Sequence, residues 1–303
     1  MPSANCIFSH CITTKKLLMT LLEYYQQNSD NIKAIFFDID GTLMLGATPI
    51  PGAKETLDFL RRNNVPFAML TNNSMVSQQF KANQMCEAGI FARPEEIISC
   101  ALALKPMAEQ HRWLDKKFFL MGSVGQNPTY AELAGLTVTR DIKEIDQCFG
   151  IINGEGYFNW FHYFAATLNF FRRHPDAPYI VANPDSYWPD ADDQYGIAAG
   201  GQARFICTLL NELGIKKEPV YLGKPYKIIY EYALAAVAEI HHLTAPIPPQ
   251  MALMVGDSLK SDILGANRAN FNSGLVLTGL TTEVEAMQAP GDFRPKQIFT
   301  SLI

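Results

Sequence analysis

The run Ala34-Ile35-Phe36-Phe37-Asp38-Ile39-Asp40-Gly41-Thr42-Leu43 constrains this chain more than any other segment. Apolar residues in unbroken succession read as a strand covered on both faces, the habit of parallel sheets flanked by helices. Two aspartates and a glycine follow at once. In open parallel sheets the carboxyl ends of the strands form the ligand crevice, so acids emerging there face a site. Buried unpaired in a core they would be expensive. Taken alone, Asp38 and Asp40 serve equally well as caps of the turn that follows.

From residue 32 onward, β-rich runs alternate with helical stretches, which predicts an α/β protein with a doubly wound parallel sheet. Pro66–Leu70 reads as a second strand, Gln78–Glu87 as a helix ending near Gly89, and Met251–Val255 and Gly274–Leu277 as later strands. Between about 117 and 199 aromatics concentrate (Phe118, Phe119, Tyr157, Trp160, Phe161 and others), and strand-like segments imply a separate small sheet. The expected division is an N-terminal extension at 1–31, core at 32–116, an inserted α/β cap at 117–199, and core again at 200–303. The aromatic stripe at 157–171 is expected to form the cap's own core, with contact to an organic substrate as the alternative reading.

With 48% hydrophobic and 18% charged residues, the chain has ample material for a core. Its net charge of −5 argues against a nucleic-acid surface, and no apolar run reaches membrane-spanning length. Leu17–Leu22 follows two lysines but lacks a signal-peptide cleavage site, so a short amphipathic helix is expected there. The six cysteines show neither zinc spacing nor a disulfide pattern, and Cys6 and Cys11 beside His10 read as incidental thiols. A reduced, cytoplasmic enzyme fits.

Three further strand ends give the first one meaning. Thr71-Asn72-Asn73-Ser74 offers hydroxyl and amide donors to phosphate oxygens, although Ser74 alone would serve as a helix cap. Gly223-Lys224-Pro225 places a lysine that in isolation reads as a surface residue. Gly256-Asp257-Ser258, with Asp262 five residues beyond Asp257, supplies more carboxylates where a helix cap would also suffice. Together they provide a carboxylate nucleophile, a second acid, phosphate donors, a cation and metal ligands in one crevice.

These motifs resemble those of the haloacid dehalogenase superfamily: Asp-x-Asp-Gly-Thr, then Thr/Ser, then Lys, then Gly-Asp-x-x-x-x-Asp. The NagD-like, or 4-nitrophenylphosphatase-like, branch is the nearer likeness, through Thr71-Asn72-Asn73, Asn183-Pro184-Asp185 with Pro189, Gly223-Lys224-Pro225 and Asp262-Ile263-Leu264-Gly265. The resemblance implies a phosphatase in which Asp38 attacks phosphorus and forms an aspartyl-phosphate. It implies that Asp40 protonates the leaving group and later activates water. Mg2+ is expected on Asp38, Asp257 and the backbone carbonyl of Asp40. Thr71, Asn72 and Lys224 are expected to hold the phosphoryl group, with Asp262 orienting Lys224 or a metal-bound water. Asn183-Pro184-Asp185 is expected to shape the cap–core junction. Implied substrates are small phosphate monoesters such as sugar phosphates, nucleotides or phosphoglycolate, and the cap can serve as a homodimer surface. A phosphotransferase or mutase using the same intermediate, and a silent binding protein on the same fold, are the alternatives. No dinucleotide-binding Gly-x-Gly-x-x-Gly or phosphate-binding loop follows the first strand.

Overall fold

The computed structural model describes residues 19–189 and 194–303. The strands run in chain order as β1 (Ala34–Asp38), the hairpin β2 (Met44–Leu45) and β3 (Thr48–Pro49), β4 (Phe67–Thr71) and β5 (Ile97–Ser99). Next come β6 (Lys117–Met121), β7 (Thr137–Thr139), β8 (Gly150–Asn153), β9 (Tyr179–Val181), the hairpin β10 (Tyr187–Pro189) and β11 (Tyr195–Ile197), and β12 (Val220–Tyr221). The last three are β13 (Ala252–Gly256), β14 (Asn272–Val276) and β15 (Gln297–Phe299).

A parallel six-stranded sheet has the order β15-β14-β13-β1-β4-β5. The chain winds outward from β1 to β4 and β5 on one side, and through β13 to β15 on the other. The carboxyl end of β1 is therefore the switch point at which such sheets open a crevice. Every residue of β1, β4 and β13 is buried, as continuous apolar runs require. Successive side chains alternate between two cores. Ile35, Phe37, Met69 and Val255 pack with Leu57 and Leu60 of the helix Ala53–Arg62. Ala34, Phe36, Leu70 and Met254 pack with Ile229, Tyr230 and Ala233 of the helix Lys227–Ile240.

A second parallel sheet has the order β12-β9-β8-β6-β7. Its extent differs from the expected 117–199 at both ends. The helix Leu104–Gln110 buries Leu104, Met107 and Ala108 against Phe118 and Leu120. The helix Ala199–Glu212 buries Ala199, Ala203, Ile206 and Leu210 against Phe119, Met121 and Ile151. β12 then pairs with β9, so the inserted unit runs from about Ala101 to Leu222. Amphipathic helices pack on whichever sheet completes their apolar face, and no change in composition marks where one sheet ends. The aromatics divide: Phe118, Phe119, Phe170 and Phe171 are fully buried, whereas Tyr157 and Phe161 are exposed.

Residues 19–31, expected to belong to an extension, are part of the core. Thr20 and Glu23 form a reciprocal cap on the helix Leu21–Asn28, with Glu23 N–H donating to Thr20 Oγ1 at 3.2 Å. Met19 pairs with Phe299, and Leu21 N–H donates to the Ser301 carbonyl at 3.0 Å. Cys6, His10, Cys11 and the stretch Lys15–Leu18 lie outside the described residues. Among the described residues no helix is long and apolar enough to cross a membrane.

At the seam between the sheets, Ser123 N–H donates to the Glu155 carbonyl at 2.7 Å, and Glu155 N–H to the Ser123 carbonyl at 3.1 Å. The Glu155 side chain is shut in, and among the described residues its Oε1 has no hydrogen-bond partner. Burial pushes its carboxyl up to about 8; the Asn183 side chain opposes this and Asp185 adds to it.

Two stability measurements test this packing. Leu21→Ala is expected to lower the unfolding free energy by about 3 kcal/mol in urea titrations; a loss near zero would mean that the helix merely rests on the surface. Glu155 in the unfolded chain ionises near the ordinary 4.5, whereas in the fold it stays protonated to about 8. Its contribution is therefore full below the lower value and is lost as pH rises through the upper one. Glu155→Gln removes this dependence, so its stability relative to the parent is expected to rise by on the order of a few kcal/mol between mildly acidic and alkaline pH. Parallel pH profiles for the two proteins would refute the assignment.

Candidate active site

Lys224 joins the predicted strand ends. It follows β12 at the return from the inserted unit to the core, yet it is completely buried rather than a surface lysine. Its ammonium donates to Asp38 Oδ1 at 2.5 Å, to Asp262 Oδ1 at 2.7 Å and to the Leu70 carbonyl at 3.1 Å. Three donors thus meet three acceptors. Burial works against the charged lysine, but Asp262 and Asp38 outweigh it and hold Lys224 well above the ordinary range. Asp38, the last residue of β1, is pushed well up by its own burial; Lys224 opposes this, and Asp262, Asp257 and Asp40 add to it.

Asp257 emerges from β13 beside Asp38. Burial, then Asp262, raises its carboxyl to about 6, against a bond in which Leu280 N–H donates to Oδ2 at 2.7 Å. Gly41, with φ +98°, and Gly279 both back onto this carboxyl, and a Cβ at either position would collide with it. Asp262 sits in a single π-helical turn, Leu259–Ile263, where its Oδ2 accepts from Ser258 N–H at 3.1 Å. One carboxylate oxygen from each of Asp38, Asp257 and Asp262 lies within 4.8 Å of the others. Three buried carboxylates face one ammonium, an excess of negative charge made only of hard oxygen donors. That is the donor set a divalent cation such as magnesium takes. The Asp40 side chain stands outside this cluster, which leaves only its backbone carbonyl as the expected donor.

The donor loop after β4 is partly committed. Thr71 is buried, and its Oγ1 accepts from Asn73 N–H at 3.0 Å, which turns the loop back on itself. Asn72 was expected to hold phosphate, but its side chain is spent on the fold. Its Oδ1 accepts from Lys224 N–H at 2.8 Å, while its Nδ2 donates to the Lys224 carbonyl at 2.9 Å and to Asp185 Oδ2 at 3.1 Å. Both amide protons are taken, so the side chain clamps the Lys224 backbone instead of reaching outward. Asp185 in turn accepts from Asn72 across the junction, and its own N–H donates to Asn183 Oδ1 at 2.8 Å.

Asp40 reaches the other way. Its Oδ1 accepts from Lys81 Nζ at 3.0 Å. Lys81 is absent from the sequence-derived set, although it lies four residues before Met85 on the buried face of the helix Gln78–Glu87. A lysine on an apolar face beside a crevice is the signal that would have found it. Glu155 had no motif to reveal it.

Comparison with known proteins agrees with this geometry. A family model described as haloacid dehalogenase-like hydrolase matches residues 35–136, and a second, HAD-hydrolase-like, matches 221–303. An acid sugar phosphatase of Staphylococcus haemolyticus is 28% identical over 272 residues, covering 90% of this chain and 94% of that protein. The structure of NagD from E. coli K-12 superposes with a TM-score of 0.74 at 26% identity, over 89% of this chain and 97% of NagD. A glycerol phosphate phosphatase of Mycobacterium tuberculosis, solved in complex with magnesium, shares the fold with a TM-score of 0.75 at 24% identity, over 90% and 77% of the two chains. The two matching models, at 35–136 and 221–303, and the buried Lys224 with its carboxylates place the chain in the haloacid dehalogenase-like hydrolase family, in its NagD-like branch.

Proposed function

We propose that this chain is a phosphatase that hydrolyses small-molecule phosphate monoesters through a phosphorylated Asp38. The observation that carries the reading is the buried ammonium of Lys224 between Asp38 and Asp262, with Asp257 completing a three-carboxylate cluster at the switch point. The similarity to the acid sugar phosphatase of S. haemolyticus supports the reaction class.

Asp38 attacks phosphorus in line, and the leaving alcohol departs with the electron pair of its P–O bond. Asp40 gives that oxygen a proton. Water then attacks the aspartyl-phosphate, returns a proton to Asp40, and releases Asp38 as a carboxylate. Lys224 supplies fixed positive charge where an anionic nucleophile must approach an anionic ester, the stabilisation on which phosphoryl transfer chiefly depends. Asp38, Asp257 and the backbone carbonyl of Asp40 would hold Mg2+, which would neutralise phosphoryl oxygens when bound. Asp262 holds Lys224 from behind. Thr71 would donate its hydroxyl to a phosphoryl oxygen, and Asn72 contributes by fixing Lys224.

Asp38→Asn is expected to reduce turnover of nitrophenyl phosphate by at least about a thousandfold with the fold intact. Near-normal hydrolysis by that variant would sink the mechanism. Chelation is expected to abolish activity and added magnesium to restore it; full activity in excess chelator would remove the metal from the scheme. Asp40→Asn is expected to slow alkyl phosphates at least about tenfold more than nitrophenyl phosphate, because nitrophenolate leaves without a proton. Equal losses would take Asp40 out of proton transfer.

A further inference from the structure

The proposed reaction gives no part to Lys81, although its ammonium reaches Asp40 at this crevice. The helix that carries it starts from its Ser77 cap, just beyond the donor loop. Lys81 shares the inner face with Ala82 and Met85, both packed into the core, and only 8% of its side chain is exposed. Enclosing a long flexible stem and an ammonium is costly unless the charge meets a partner. That partner is Asp40 Oδ1, 3.0 Å away.

Asp40 presents the converse situation. The backbone on both flanks of it is held: Gly41 N–H donates to the Met44 carbonyl at 2.7 Å, Met44 N–H to the Ile39 carbonyl at 2.9 Å, and Thr278 Oγ1 to the Gly41 carbonyl at 2.8 Å. The side chain, however, is 51% exposed, and among the described residues Lys81 alone bonds its carboxylate. The remaining freedom of this acid is the rotation of its short side chain, and one buried cation takes that freedom away.

We propose that Lys81 is a positioning residue that sets the direction of the Asp40 carboxyl and thereby its proton transfers. This rests on the acid–base part assigned to Asp40 above. As the ester P–O bond breaks, its electron pair stays on the leaving oxygen, which takes the Asp40 proton. The carboxylate left behind remains aimed by Lys81. When water attacks the aspartyl-phosphate, its proton passes to that same carboxylate, and the electron pair of the breaking P–O bond returns to Asp38. A general acid works only within hydrogen-bond reach of the atom it protonates, so a swivelling carboxyl would lose the first transfer most on poor leaving groups.

The test compares the parent, Lys81→Met, which keeps an apolar stem, and Lys81→Arg, which keeps the charge. Each is assayed on glycerol phosphate and on nitrophenyl phosphate with magnesium. Lys81→Met is expected to lower kcat on glycerol phosphate by about tenfold or more with KM within about twofold, and on nitrophenyl phosphate by less than about threefold. Lys81→Arg is expected to recover most of the loss. In an Asp40→Asn background, Lys81→Met is expected to cost nothing further, because the group it aims is gone. Equal losses on the two substrates, or losses that multiply in the double variant, overturn the assignment and leave a purely structural lysine. A parent that hydrolyses neither ester, or an Asp38→Asn variant as active as the parent, instead overturns the phosphatase reading and this assignment with it.

Discussion

A single buried ammonium organises this molecule. Lys224 sits between Asp38 and Asp262 with all three of its protons used, and removing the lysine would leave two carboxylates without their counter-charge in the core. The arrangement brings together residues from distant parts of the chain: Asp38 ends the first core strand, Asp262 belongs to the turn after β13, and the lysine enters on the return from the inserted unit. Because the pairing has one more carboxylate than ammonium even before Asp257 is counted, the site keeps an unbalanced negative charge. A divalent cation is the counter-charge that would offset that imbalance.

The support of Lys224 comes from the backbone as much as from charge. Asn72 grips both its N–H and its carbonyl, so the stem enters the core from a fixed origin. The same amide is bonded to Asp185 of the inserted unit. One side chain therefore ties the loop after β4, Lys224 and the inserted unit together, and the three cannot shift independently.

Much of this was legible in the sequence. Unbroken apolar runs marked the strands buried on both faces, and the acids directly after β1 and β13 marked the crevice, because both signals are local. What a local pattern does not carry is which sheet a helix completes. The helices Leu104–Gln110 and Ala199–Glu212 look like core helices until Phe118, Phe119 and Ile151 are seen beneath them. Motif identity also hides side-chain direction: Asn72 reads as a phosphate donor, yet its valences are closed inside the fold. Lys81 and Glu155 were missed for a related reason. Each is an ordinary charged residue in sequence, and its importance comes from burial that only the packed helix and the paired loop impose.

The two passages between the sheets lie side by side. The chain leaves the core after β5 at Cys100 and returns at Gly223, whose surroundings are Asn72, Pro184 and Cys100 itself. An excursion with a common departure and arrival leaves the six-stranded sheet topologically complete without it, as domain insertions at adjacent chain ends do. Evolution can therefore lengthen, trim or exchange the whole module while the chemistry beneath stays constant. In this architecture the repertoire of molecules served can diversify by grafting, with the reaction inherited unchanged.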